Sequence, residues 1–504
     1  GGDSLKAIKV QNISKAANAS EILMYRTPAS ISEHSSRPKT EILFSEEEGC
    51  PLSESQLNVF LDMETGSGRE YVIPFEFCIP PGVSETDAEK ALEKAIEAYP
   101  ALRGRVSEKD GEPWMYFDSV PQIGKGAPSL PDIRRCLSSF SIGGNRVRGL
   151  VSHLGFDGYS FGILCKALEK AVSGEEIGRD PGMLISSSYD RSAPGTARYA
   201  ASLAHFRSLF EDADTDSGIV PEPDGKQGFC EKKLGIKPAE LYSFASGHNS
   251  TSGAVAAAAF AYMLSRFTGK QDPVFCITDN GRELPGLDGS IGMFVKTIPL
   301  RIICSEDSTD GFISRASKQI YESISASEVP FRKLSGEFGI KSDVIFQYIP
   351  GSHPDNLFGN SFSDSGLTAG VIDSGDDLKL ILSHGCEISE TTAGKMVQAY
   401  EMILSGLMKC GNLSEIDYTG NDVPIIKGQR RSLKYAHILD ALRDHISDRK
   451  LVLCDGRALS YKESDIISDS IAARLEEAGI LPGDRVTVMT DRDKWFVLCL
   501  LGAL

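Results

Sequence analysis

The chain has 504 residues, 41% of them hydrophobic and 24% charged, with a formal charge of −17. These proportions are those of a core-forming globular protein, and at about 150 residues per domain the length allows about three domains. The negative charge argues against nucleic acid or an anionic membrane surface as a partner, since phosphates would be repelled, and no run of basic residues exceeds three. Eleven cysteines are scattered singly with no C-x-x-C pair. Neither a disulfide framework nor a metal site is therefore expected, and the usage fits a reducing, cytoplasmic setting. No signal peptide is visible.

Residues 1–20 open with GGDSLKAIKV and continue in a helix-like pattern. A segment rich in Ser, Glu and Pro without periodicity follows and reads as a linker over 21–49. A long mixed α/β region is expected over 50–425. Its first clear helix is 85–99, where Ser84 caps and Ala88, Leu92, Ala95 and Tyr99 form one apolar face. Strand-like runs are YVIPFEFCI (71–79), NRVRGLVSH (145–153), PVFCI (273–277), FVKTIPLRII (294–303) and DVIFQYI (343–349). The apolar stretch SGAVAAAAFAYML (252–264) is too short to span a bilayer and reads as a buried helix.

A basic stretch, KGQRRSLK, marks a second linker, placed at 426–434. Beyond it the chain changes character. VLCDGRALSY (452–461) reads as a hairpin with Asp-Gly at its turn. An amphipathic helix over 462–478 carries Ile467, Ile471, Leu475 and Ala478, and Gly479 closes it. RVTVM (485–489) is predicted to be a strand, giving the strand–helix–strand order of a first βα unit. With no initial Met and a last run, FVLCLLGAL, that stops in mid-element, the chain reads as a fragment of something longer.

The stretch VSHLGFDGYS (151–160) holds the candidate chemistry. Period-two alternation places Val147, Gly149, Val151 and His153 on one face, so His153 is expected as the last inward residue of a strand. LGFDG then makes a turn and Ser160 caps a helix. A histidine so placed can be held in one tautomer and act as a base near neutral pH. Asp157 is too near in sequence to be a distant base and is expected to brace the loop. Gly158 lets backbone approach a ligand closely. Alone, H-x-x-x-D is a weak pattern that arises by chance, and by itself it favours a structural histidine over a catalytic one.

Other stretches bear on that choice. GGDSLKAI resembles the second half of a peptidyl carrier domain, with Ser4 where phosphopantetheine is attached. VSHLGFDGYS resembles the H-H-x-x-x-D-G core of condensation domains of nonribosomal peptide synthetases, and GMFVKTIPLRI (292–302) their G-x-F-V-N-T-x-P-L-R segment. LSESQLNVFL (52–61), YPALRGRV (99–106), VPFRKL (329–334) and DVIFQY (343–348) are smaller echoes in the family's order. ALSYKESDIISDSIAARLEEAGILPGDRV resembles the beginning of an adenylation domain. The succession is that of one synthetase module junction. It implies an α/β fold, a V-shaped pair of chloramphenicol-acetyltransferase-like lobes with a tunnel over 50–425. A helical carrier remnant (1–20) would precede it, and a truncated α/β adenylation start (435–504) would follow.

By this resemblance the domain joins a carrier-bound donor thioester to a carrier-bound aminoacyl acceptor as an amide, in secondary-metabolite or siderophore synthesis. His153 is the implied base, Gly158 an oxyanion donor, and Asp157 a structural group paired with Arg282 or, second, Arg103. Upstream and downstream carrier domains and a phosphopantetheinyl transferase are the implied partners, and no nucleic acid or membrane. Phosphopantetheine on Ser4 is the implied cofactor. ATP and Mg belong only to a complete adenylation domain. Three positions depart from the family pattern, the first being YPALRGRV, where Ala101 stands in place of the family's histidine before the leucine-arginine pair. Ser152 replaces its first histidine, a form resembling fungal synthetases, and Lys296 replaces its Asn. An ester-forming or cyclising domain, or an inactive carrier-docking module, are the alternatives.

Overall fold

The computed structural model describes residues 10, 22, 27–34, 41–66, 68–222, 224–305, 308–350, 366–420, 434–435, 437–454, 456–491 and 493–504. The chain divides between Gly420 and Asn421 into two units. Most of the proposed carrier segment and linkers, Ser4 included, lies outside the described residues.

The first unit has two hydrophobic cores. α1 (Pro28–His34) precedes the first core in the chain. That core is built from β1 (Cys50–Pro51), α2 (Glu54–Thr65), β2 (Val72–Cys78), α3 (Glu85–Ala98), β3 (Arg105–Lys109), β4 (Glu112–Tyr116), β5 (Gln122–Gly124), β6 (Ser138–Gly143), β7 (Arg146–Ser152), α4 (Gly158–Val172) and α5 (Gly182–Ser192). Its four-stranded sheet runs β2-β7-β6-β5, and a three-stranded sheet runs β1-β4-β3. The apolar face read for the helix near 85–99 is present: Ala88, Leu92 and Ala95 are buried on α3, Ser84 accepts the Asp87 N–H at 3.1 Å, and Tyr99 is the residue that ends the helix. Pro74 cannot donate to a ladder, and β2 accordingly lies at a sheet edge.

β7 shows the alternation expected of it, with Val147, Gly149 and Val151 buried on one face. Gly149 is required by packing. A Cβ there would lie 2.4 Å from the Phe75 ring, which stacks on Phe156 with centroids 5.6 Å apart. Gly149→Ala should therefore cost about 1–3 kcal/mol by overpacking. Urea denaturation would read this as a lower midpoint, and an unchanged midpoint would show that the ring yields freely.

The second core follows: α6 (Ala197–Phe210), β8 (Gly228–Lys233), α7 (Pro238–Gly247), α8 (Ser252–Thr268), β9 (Val274–Asp279), β10 (Lys296–Arg301), α9 (Thr309–Ser325), α10 (Phe331–Phe338), β11 (Val344–Pro350), β12 (Leu367–Asp373), β13 (Leu378–His384) and α11 (Glu390–Leu407). The six-stranded sheet runs β10-β9-β11-β12-β13-β8, with β11 parallel to both its neighbours. Its edge strand β10 accommodates Pro299. The Ala-rich run indeed forms a buried helix. Every residue of α8 from Ala254 to Ser265 is buried, small side chains letting α9, α11 and β11 pack closely on it. The segment joining β9 to β10 leaves this core, and its Leu287, Ile291, Met293 and Phe294 are buried in the first one. That crossing carries the residues that meet the histidine turn.

The second unit holds α12 (Ile438–Arg443), the hairpin β14 (Lys450–Cys454) and β15 (Arg457–Ser460), α13 (Tyr461–Glu477) and α14 (Lys494–Ala503). Gly456 takes φ +73° at the hairpin turn and Gly479 φ +81° after α13, the left-handed conformations that favour glycine. The strand expected at 485–489 is not formed: these residues join no sheet among the described residues. A strand needs a neighbour's hydrogen bonds, and in this unit β14 and β15 pair only with each other.

Candidate active site

β7 ends one residue sooner than its alternation implied. Ser152 closes the strand, and His153 opens a one-turn 3-10 helix, His153–Gly155. The expectation that His153 is the last inward residue of the strand is thus corrected, because the backbone turns before the alternation reaches it. Ser152, fully buried, accepts the Leu154 N–H at 3.4 Å, and the Phe156 N–H closes the turn on the His153 carbonyl at 3.3 Å. The half-buried imidazole lies with Nδ1 2.7 Å from the Phe156 carbonyl oxygen. A carbonyl only accepts, so Nδ1 carries the proton and Nε2 of the neutral ring carries the lone pair. Nε2 makes no hydrogen bond among the described residues.

The following helix also differs from expectation. α4 begins at Gly158, and its cap is Asp157, not Ser160. Asp157 accepts the Ser160 N–H at 3.0 Å, and Ser160 is the third residue of a reciprocal capping box. Both Asp157 oxygens are taken further. Arg282 Nη1 and Nη2 each lie 2.8 Å from one of them, and the Phe294 N–H donates at 3.1 Å. The paired side chains are 4% and 3% exposed, so this bidentate bridge is buried. Arg282 also lies over the Phe294 ring, 4.8 Å from its centroid. Asp157, so occupied, has no oxygen left to take a proton from substrate. Arg103 lies elsewhere: it pairs with Glu46 and donates to the Phe117 carbonyl.

Gly158 is exposed, its φ is not positive, and a Cβ added to it would meet no atom within 4 Å. Neither the turn nor protein packing demands a glycine there. The open space beside it is what remains to explain the residue.

Lys296 opens β10, two residues after Phe294. Its Nζ is 3.4 Å from the Ser327 hydroxyl and 4.0 Å from Glu283. Burial works against its charge, but Glu283, Glu328, Asp279 and Asp190 outweigh this and raise it, so it is a cation. Nearby, Glu328 pairs with Arg198 at 2.7 Å and accepts the Tyr189 O–H. Burial pushes the Glu283 carboxyl up to about 7, against the pull of Lys296. Burial likewise lifts Asp190 to about 6, although the Glu54 N–H, 2.9 Å away, and Lys296 favour its charge. Sequence reasoning missed this group, since its acids are distributed over distant segments.

The Asp190 shift has a definite sign. A carboxyl raised by folding contributes stability that is full below its unfolded value and is lost as pH rises through the folded value. Asp190→Asn carries no such penalty. Its melting temperature relative to the parent should climb from pH 4 to about 6 and then level, for a gain of about 1–3 kcal/mol. A difference that is flat across this range would remove the argument.

Residues 138–351 match the family described as Condensation domain. The condensation domain of the monacolin K polyketide synthase superposes with a TM-score of 0.62 at 14% identity, over 72% of this chain and 98% of that one. The first unit has the fold of a condensation domain. The first condensation domain of the calcium-dependent antibiotic synthetase, in complex with a substrate analogue, superposes with a TM-score of 0.60 at 16% identity, over 73% of this chain and 99% of its own. Among curated proteins, a linear gramicidin synthase polypeptide of Brevibacillus parabrevis is 24% identical over 312 residues, 53% of this chain. Gramicidin S synthase 2 of Brevibacillus brevis is 22% identical along 100% of it. The chain spans 6% and 13% of the lengths of these two relatives. Both the histidine turn and its Arg282 partner lie within the matched condensation-domain residues. Among the described residues no helix is long and apolar enough to cross a membrane.

Proposed function

We propose that this condensation domain joins a carrier-bound acyl or peptidyl thioester to a carrier-bound aminoacyl acceptor. The observation that carries the reading is the division of labour at the turn. His153 has Nδ1 committed to a carbonyl and Nε2 free, while Asp157 is wholly engaged with Arg282. The acceptor nitrogen attacks the thioester carbonyl. A C–N bond forms, the C–S bond breaks, and the nitrogen's proton passes by way of His153 Nε2 to the leaving thiolate. The Gly158 N–H, beside open space, is the candidate donor to the developing oxyanion. Tethering both reactants in one tunnel between V-shaped lobes supplies much of the remaining rate.

The test loads a donor carrier and an acceptor carrier separately and adds the domain. Mass spectrometry should find the amide on the acceptor carrier. A domain that leaves both carriers unchanged would be a docking module, and product only with a hydroxyl acceptor would make it an ester synthase.

The flanking segments extend the proposal. We read residues 435–504 as the start of an adenylation domain. The gramicidin S synthase 2 alignment, which runs the whole length of this chain, supports this. Ser4 is the proposed phosphopantetheine site, read from its G-G-x-S-L setting. Incubation with a phosphopantetheinyl transferase and coenzyme A should add one phosphopantetheinyl group, and Ser4→Ala should abolish it. Addition that persists in Ser4→Ala would place the site elsewhere. A fungal origin rests on the Ser152–His153 pairing alone.

A further inference from the structure

α2 does more than complete the first core. Its first turn is anchored on two sides: Ser53 and Gln56 form a reciprocal capping box, and the Glu54 N–H donates to Asp190 at 2.9 Å. Gln56 is 1% exposed and uses both ends of its amide. Its Oε1 accepts the Ser53 N–H at 2.9 Å, and its Nε2 donates to the Leu154 carbonyl at 2.5 Å. Leu154 is the middle residue of the turn that begins with His153. That turn sets the position of the Phe156 carbonyl, and the Phe156 carbonyl holds the imidazole through Nδ1. An unbroken path therefore runs from the Gln56 amide to the ring nitrogen.

We infer that Gln56 is a positioning residue that fixes the tautomer of His153. In the opposite tautomer the Nδ1 lone pair would face the Phe156 oxygen, two acceptors at hydrogen-bond distance. The rigid turn forbids this arrangement as long as the oxygen stays in place. With the Leu154 carbonyl released, the turn can relax, the Phe156 oxygen can swing away, and the ring can carry its proton on Nε2. That tautomer has no lone pair where the acceptor amine is proposed to approach. The functional consequence rests on the reading of His153 as the base; the tautomer itself does not.

The experiment reads the ring directly. Protein labelled with 15N-histidine is examined by two-bond nitrogen–proton correlation, and His153 is assigned as the pattern missing from His153→Ala. The parent should show protonated Nδ1 and bare Nε2. Gln56→Met, equal in length but without a donor, should mix the two tautomers. It should also lower turnover by about 10–100-fold with unchanged apparent KM for both carriers. Gln56→Glu, read at a pH where the carboxylate is ionised, keeps the acceptor for Ser53 and should behave as Gln56→Met does. Ser53→Ala breaks the same capping box but leaves the amide, and should keep the parent tautomer.

A single parent-like tautomer in both folded Gln56 variants would overturn the inference, and so would an equal disturbance in Ser53→Ala. Failure of the base reading is separate. It would appear as full activity in His153→Ala, whatever the tautomer result.

Discussion

Replacing His153 by alanine should reduce amide formation by about 10²–10⁴-fold, the usual contribution of a placed general base. The imidazole is half-buried and its one side-chain bond is to the Phe156 carbonyl. Its loss removes little packing, so melting should change by less than about 1 kcal/mol. The residual rate should be measurable, because two tethered reactants still meet in the same geometry. The decisive comparison is product per unit time by mass spectrometry with both carriers saturating. A drop in turnover at constant melting temperature supports proton transfer. Full activity would leave His153 as a structural histidine and return the chemistry to positioning alone.

How much of this was legible in the sequence differs between elements. The cap at Ser84 and the face of Ala88, Leu92 and Ala95 depend on local spacing, and the helix forms there. The buried stretch of α8 was equally plain, since a run of small apolar residues has only one stable place. The end of β7 was not, because alternation says which face a residue takes while the strand lasts and not where it stops. The choice of Asp157 over Ser160 as the helix cap was hidden for a similar reason. Both residues suit that position, and the decision is made by Arg282 and the Phe294 N–H arriving from more than a hundred residues away. The resemblance pointed to Arg282 as a partner, but nothing in the spacing of LSESQLNVFL showed that Gln56 would hold the Leu154 carbonyl. The strand expected at 485–489 had the right pattern and lacked a neighbour, which no local pattern supplies.

The other large effect concerns stability. Asp157→Ala should cost about 3–5 kcal/mol, because it strands the Arg282 guanidinium, 4% exposed, without its counter-charge. Loss of the α4 cap adds about 1 kcal/mol. Arg282→Ala should cost less, since Asp157 would keep the Ser160 and Phe294 N–H donors. An Asp157→Leu, Arg282→Met pair removes both charges together and should recover part of the loss, as buried ion pairs often yield little net stability over apolar replacements. What the pair supplies is register. It pins the crossing segment, which belongs by sequence to the second core, against the first turn of α4 in the first. Soluble yield and urea midpoint should therefore fall steeply in Asp157→Ala, while turnover per folded molecule falls less than in His153→Ala. A fully folded Asp157→Ala with no activity would reverse the assignment and put the carboxylate, not the imidazole, at the centre of the chemistry.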